Sequence, residues 1–317
     1  MGKILANDGI SKSGVEALEA MGYEVSTTNV AQEQLENHIN ENKINVLLVR
    51  SATTVRKALI DACPGLKIIG RGGVGMDNID VEYARKKGLH VINTPAASSS
   101  SVAELVFAHL YGGVRFLYDA NRQMPLEGET KFKMLKKNYA GGSELRGKTM
   151  GVIGFGRIGQ ETAKIALGVG MNVVAHDPFM DKAEVKVVLG NGAEVDVPVE
   201  MNSFEAVLKE VDFISLHVPA QDKPVIGKKE LGMMKKGAGL INAARGGVVD
   251  EVALLDALES GQLSFAGLDT FDNEPVPAMQ VLMHPKISLT PHIGAATKEA
   301  QDRIGTELAQ QIHSILR

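Results

Sequence analysis

The sequence predicts an α/β protein built on parallel sheets. Three observations carry that expectation. Short runs rich in Val, Ile and Leu alternate with amphipathic stretches along nearly the whole chain. The runs are continuously apolar, as strands covered on both faces must be. A glycine-rich turn joins one of them to the helix that follows it. Strand–helix alternation of this kind points to parallel strands joined by helical crossovers.

In chain order, "KILAND" precedes the helical "SGVEALEAMG", and "INVLLVRS" precedes "VRKALIDACPG". The strand-like "LKIIGR" and "LHVINT" follow. After Pro95 the text changes to "AASSSSVAELVFAHLYGGVRFL". Ser101 followed by Glu104 reads as a capping box opening a long helix, with Val102, Leu105, Val106 and Leu110 at helical spacing. A second series begins near Lys148 and runs through "MNVVAHDP", "AEVDVP", "DFISLHVP", "GAGLINAA", "SFAGLD" and "KISLTP". The final "AATKEAQDRIGTELAQQIHSILR" is helical again. Two α/β series separated by a long helix predict two domains.

At 317 residues, 44% hydrophobic and 23% charged, the chain can bury a sizeable core in one large or two linked domains. A net charge of −4 leaves no basic footprint for nucleic acid or an anionic membrane surface. The single cysteine, Cys63, excludes an internal disulfide and suits a reducing, cytoplasmic setting. No Cys or His cluster has metal-ligand spacing, so no metal is expected. "MGKILANDGI" carries no apolar signal core, and runs such as "VLLV" are too short to span a bilayer.

The most informative stretch is "MGVIGFGRIGQETAKIALGVGMNVVAHDP". Gly154, Gly156 and Gly159 form G-x-G-x-x-G between a strand and a helix. The first glycine permits the tight turn, the second lets a pyrophosphate approach the backbone, and the third lets helix and strand pack closely. The helix start offers free N–H groups and a positive dipole end to phosphate. Asp177 ends the next strand roughly 20 residues on, where a carboxylate holds ribose hydroxyls and repels a 2′-phosphate. NAD is therefore expected rather than NADP.

Such a cofactor needs a partner that moves a proton while hydride moves. Arg245, Glu274 and His292 each follow a strand, in "LINAARGGVVDE", "GLDTFDNEP" and "SLTPHIGAAT". Ligands of open α/β sheets sit outside the carboxyl ends of strands, so the three can converge. An imidazole suits the proton, a glutamate can fix its tautomer, and a guanidinium fork can grip a carboxylate. Spacing alone leaves open a surface histidine, a solvated glutamate and an arginine that caps carbonyls.

Those motifs, with "GVIGFGRIGQ", "TPHIGAATKEAQ", "VRSATTV" and "GRGGVGMDNID", span nearly the whole chain. Through them the chain resembles the D-2-hydroxyacid dehydrogenases, most closely their phosphoglycerate dehydrogenase branch. The resemblance implies two Rossmann-like domains, one flavodoxin-like and one NAD-binding, with the active site in a cleft between them. It implies a discontinuous substrate-binding domain, 1–97 and 293–317, and an NAD-binding domain, 98–292, that forms a homodimer interface. It makes Arg245, Glu274 and His292 the catalytic set. Cofactor contacts are implied at Val74, Gly154, Gly156, Arg157, Ile158, Gly159 and Asp177. Further ones fall at Val218, Pro219, Ala243, Arg245, Asp269, His292, Gly294 and Ala295.

The substrate is expected against the first half. Arg50 and Ser51 end one strand and Arg71 another, and the Gly72, Gly73, Val74 and Gly75 turn offers N–H groups that can hold a carboxylate. Arginines beyond Arg245 suit a second anionic group, and a phosphate fits. The implied reaction is oxidation of 3-phosphoglycerate by NAD, as in serine synthesis. Ser98 stands where the branch typically carries a substrate-contacting asparagine, and a serine has shorter reach. The chain stops just after the last family helix, so feedback through a C-terminal regulatory domain is not expected. The alternatives are a glyoxylate or hydroxypyruvate reductase of the same family and a non-catalytic NAD sensor like the C-terminal binding corepressors.

Overall fold

The computed structural model describes residues 2–317, in two compact units. Unit one comprises the chain up to Ser101 together with Ala295–Arg317, and unit two is Val102–Gly294.

Unit one alternates β1 (Lys3–Ala6), α1 (Lys12–Ala20), β2 (Glu24–Ser26), α2 (Leu35–Glu41), β3 (Val46–Val49), α3 (Lys57–Ala62), β4 (Ile68–Arg71), α4 (Val81–Lys86) and β5 (His90–Asn93). Its five strands form one parallel sheet in the order β2-β1-β3-β4-β5, the flavodoxin-like order. The strands look uniformly apolar, yet each residue serves one face. Ile4, Ala6, Val46 and Leu48 pack with Leu18 and with Ile304 and Leu308 of the C-terminal segment. Leu5, Leu47, Val49 and Ile69 pack with Leu35, Ile39 and Ile60 on the other side. Period two inside a continuous apolar run is what double coverage requires.

Unit two opens inside α5 (Ser99–Val114), followed by α6 (Leu117–Asn138), β6 (Thr149–Ile153), α7 (Arg157–Gly168) and β7 (Asn172–His176). Then come β8 (Lys182–Val188), β9 (Glu194–Glu200), α8 (Phe204–Glu210), β10 (Phe213–Leu216), α9 (Lys228–Met233) and β11 (Ala238–Asn242). The series closes with α10 (Glu251–Glu259), β12 (Leu263–Leu268), α11 (Met279–Met283) and β13 (Ile287–Leu289). The last helix, α12 (Lys298–Leu316), returns to unit one. There it meets α1 so closely that a Cβ at Gly14 would lie 2.7 Å from Gly305 Cα. Six parallel strands of unit two are ordered β13-β12-β11-β10-β6-β7, with one buried cluster on each face.

Three local expectations need correction. The "AEVDVP" run is not a member of the parallel series: as β9 it pairs antiparallel with β8 in a separate two-stranded sheet. Val185, Val187 and Val199 of this hairpin are buried in the cluster around α7, while Lys182, Glu184, Lys186 and Glu200 face out. Ser101 does not cap the long helix, which starts two residues earlier at Ser99. Its hydroxyl instead lies 2.8 Å from that of Thr297. The helix is also broken: Phe116 adopts φ 55 between α5 and α6, a left-handed backbone no helix continues through.

Candidate active site

The glycine-rich turn behaves as its spacing requires. Gly154 has φ +87, and a Cβ there would lie 2.6 Å from the His217 carbonyl oxygen. A Cβ on Gly159 would collide with the Gly154 carbonyl oxygen, so α7 is seated directly against the turn. At Gly156, the N-cap of α7, no described atom beyond the adjoining chain lies within 4 Å of where a Cβ would stand. That opening lies in front of the helix start, where Arg157 and Ile158 begin α7. A pyrophosphate fits this cradle: the fold closes tightly behind the turn and leaves space ahead of it.

Asp177, one residue past β7, is half-buried and accepts from Phe155 N–H at 2.8 Å and Phe179 N–H at 2.9 Å. Its carboxylate is thereby tied to the turn it follows. Val218 and Pro219 succeed β10 next to His217. Burial pushes the His217 imidazole down to about 3, so it packs as a neutral ring.

The three chemical candidates follow three neighbouring strands, β11, β12 and β13. Arg245 is half-buried and its Nη1 donates to the Ala244 carbonyl at 2.6 Å. Asn242 steadies that loop, donating to the Arg245 carbonyl at 2.8 Å and accepting from Ala244 N–H at 3.1 Å. Ala243, between them, is buried. Glu274 Oε1 accepts from Phe271 N–H at 3.0 Å, and its Oε2 lies 2.8 Å from His292 Nδ1. A carboxylate only accepts, so Nδ1 carries the hydrogen and Nε2 presents a lone pair. The His292 side chain is 42% exposed, within reach of a ligand.

His292 also has φ 54, a left-handed backbone that costs a non-glycine residue about 1 kcal/mol or more. Asp269 holds it there. Its Oδ1 accepts from Ile293 N–H and its Oδ2 from Gly294 N–H, both at 2.8 Å. Asp269 and Gly294 are both buried, and Ala295 begins the second segment of unit one. The loops after β11 and β12 are stitched as well, with Gly247 N–H donating to Asp272 Oδ1 at 2.6 Å. An imidazole–carboxylate pair at the carboxyl edge of a doubly wound sheet can exchange one proton with a bound hydroxyl or carbonyl.

In unit one, Arg50 follows β3, and its N–H donates to Asp8 Oδ2 at 2.6 Å. Ser51 is exposed. Arg71 ends β4, and its Nη1 donates to the Gly72 carbonyl at 3.2 Å. Gly73 has φ +146, and Asn93 Nδ2 donates to the Val74 carbonyl at 2.7 Å, fixing the turn through Gly75. Ser98 is fully buried. Sequence reasoning named Asp269, within "GLDTFDNEP", only as a cofactor contact and missed its grip on the His292 backbone, and it missed the Asp8 anchor, because a carboxylate that binds backbone N–H groups far along the chain leaves no spacing signal.

The NAD-binding domain of the D-isomer specific 2-hydroxyacid dehydrogenases matches residues 107–294 of this chain. The chain belongs to that family. Its second unit is therefore an NAD-binding domain of the D-isomer specific 2-hydroxyacid dehydrogenase type. A D-3-phosphoglycerate dehydrogenase of Methanocaldococcus jannaschii is 41% identical over 100% of this chain and 58% of the relative. A hydroxypyruvate reductase of Thermotoga maritima is 41% identical over 98% of this chain and 97% of the relative. The chain thus spans little more than half of the first relative and nearly all of the second. A crystal structure of the TT0316 protein from Thermus thermophilus superimposes with a TM-score of 0.85 at 30% identity, covering 99% of this chain and 96% of that one. Among the described residues no helix of this chain is long and apolar enough to cross a membrane.

Proposed function

We propose that this dehydrogenase oxidises D-3-phosphoglycerate to 3-phosphohydroxypyruvate with NAD. The 2.8 Å contact between His292 Nδ1 and Glu274 carries the chemical reading, because it leaves Nε2 as the one free acceptor on the ring. In the oxidative direction that nitrogen takes the proton from the C2 hydroxyl, and Glu274 stabilises the imidazolium that results. Arg245 holds the substrate carboxylate beside it. Bound nicotinamide supplies the hydride acceptor. The Gly154–Gly159 turn binds the pyrophosphate, and Asp177 takes the ribose hydroxyls.

The phosphate is assigned to Arg50 and Arg71, supported by their positions at the ends of β3 and β4 beside the Gly72–Gly75 turn. A second reading, reduction of hydroxypyruvate, is favoured by the full-length likeness to the Thermotoga relative. The substrate panel that separates them compares kcat/KM for 3-phosphoglycerate with that for glycerate, lactate and hydroxypyruvate. The phosphate reading expects 3-phosphoglycerate to lead. It also expects the double variant Arg50→Gln/Arg71→Gln to raise its KM at least tenfold while barely moving that for glycerate. An unphosphorylated acid leading the panel would reject the phosphate and leave the family chemistry standing.

The proposal includes a cytoplasmic homodimer joined through the NAD-binding unit. Apolar Leu126, Phe132 and Met134 stand exposed on α6, which supports an interface there. Phe132→Glu is expected to shift sedimentation from dimer to monomer; a wild-type dimer that persists in this variant would place the interface elsewhere.

A further inference from the structure

On α5, remote in sequence from every motif, His109 is only 2% exposed and yet uses both ring nitrogens. Its Nδ1 lies 2.8 Å from the Ser288 hydroxyl and its Nε2 2.9 Å from the Thr290 hydroxyl. The Thr290 hydroxyl has one hydrogen, and it is committed: that oxygen donates to Asp269 Oδ1 at 2.6 Å. A carboxylate cannot donate back. His109 Nε2 must therefore carry the hydrogen given to Thr290, which leaves Nδ1 to accept from Ser288. One tautomer satisfies the whole chain. Burial pushes the His109 imidazole below its usual range, with the Asp269 charge opposing, so the neutral ring persists.

The fold makes room for this ring. A Cβ at Gly267 of β12 would lie 2.6 Å from His109 Cβ, so only a glycine lets the imidazole rest on the strand. The chain of bonds then runs on to the reactive segment. Asp269, itself 1% exposed, also accepts from the N–H groups of Ile293 and Gly294. Those are the two peptides that follow His292 and hold its left-handed backbone.

We infer that His109 is a positioning residue: through Thr290 it orients the Asp269 carboxylate, and through that carboxylate the backbone that carries His292. A histidine that only filled the core would leave turnover untouched when replaced by an apolar side chain of similar length. A positioning histidine would not, since small misplacements of a reacting group cost turnover steeply. The inference rests on the reading of His292 as the acid–base group.

The test compares His109→Met, His109→Gln, Thr290→Val and the double His109→Met/Thr290→Val in the full chain, with His292→Ala alongside. Turnover is followed with NAD and 3-phosphoglycerate, and with NADH and hydroxypyruvate, well below the unfolding temperature. His109→Met and Thr290→Val should each lower kcat about tenfold to a hundredfold, with substrate KM within a few-fold. The double variant should be no worse than the worse single, because both cut one chain. Gln, whose amide nitrogen can donate to the same hydroxyl, should recover most of the loss.

Wild-type kcat in His109→Met and Thr290→Val would overturn the inference. So would losses that multiply in the double variant, or a Gln variant no better than Met. Should His109→Met not fold, Thr290→Val and His109→Gln still decide, since neither empties the helix–strand contact. A His292→Ala variant with full turnover would remove the acid–base reading and this inference with it. An inactive His292→Ala beside fully active His109→Met and Thr290→Val removes the inference alone.

Discussion

Replacing His292 by alanine is expected to lower kcat about a hundredfold to ten-thousandfold while NADH still binds within a few-fold of wild type. The range is what a positioned acid–base group contributes. The split between turnover and binding follows from where the imidazole sits. Its Nδ1 is spent on Glu274 at 2.8 Å, which leaves its other edge for the reacting oxygen in the proposed reaction. The turn proposed to receive the pyrophosphate lies after β6, on a different strand. Glu274→Gln should give a smaller loss, because an amide oxygen can still accept from Nδ1 but carries no charge to stabilise the imidazolium. Stopped-flow turnover together with NADH fluorescence titration checks both. A His292→Ala enzyme with near-normal kcat would end the acid–base assignment.

Gly159→Ala should be the most damaging single methyl in the chain's nucleotide turn. The added Cβ would strike the Gly154 carbonyl oxygen and come within 3.1 Å of Val152 Cγ1. Both obstacles belong to β6 and its turn, so relief requires α7 to move off the sheet. Overpacking of this kind costs about 1–3 kcal/mol, and the displaced helix start no longer presents its N–H groups to phosphate. The expected result is a lower Tm and an NADH Kd raised at least tenfold. Gly156→Ala makes the contrast: beyond the adjoining chain its Cβ meets nothing within 4 Å among the described residues, and its φ of −68 suits any residue. That variant should keep its Tm and lose affinity alone, by blocking the approach of the pyrophosphate. Unchanged Tm and Kd in Gly159→Ala would show that the helix does not depend on this contact.

Much of this architecture is legible in the residues. The buried parallel strands announce themselves as continuous apolar runs, and the turn at Gly154 combines glycine spacing with a strand before it and a helix after it. Arg245, Glu274 and His292 are visible as polar residues just past strand ends. What the sequence hides has physical causes. Four consecutive serines offer several capping positions, and Ser101 is not the cap because the helix already begins at Ser99; its hydroxyl instead lies against that of Thr297, nearly two hundred residues away. The run "AEVDVP" alternates, which is a half-buried strand's signature; its partner "KAEVKVV" and the Gly190–Gly192 turn between them identify a hairpin only when read together. His109 gives no signal at all, since a lone histidine on an apolar helix face carries no spacing rule.

The hairpin of β8 and β9 has a consequence for how the protein behaves in crowded solution. Among the described residues β8 has no strand on its far side, so its backbone could recruit a strand from another molecule. Lys182, Glu184 and Lys186 punctuate that rim with alternating charge. An incoming strand would have to dehydrate all three at once, which disfavours edge-to-edge pairing at this rim.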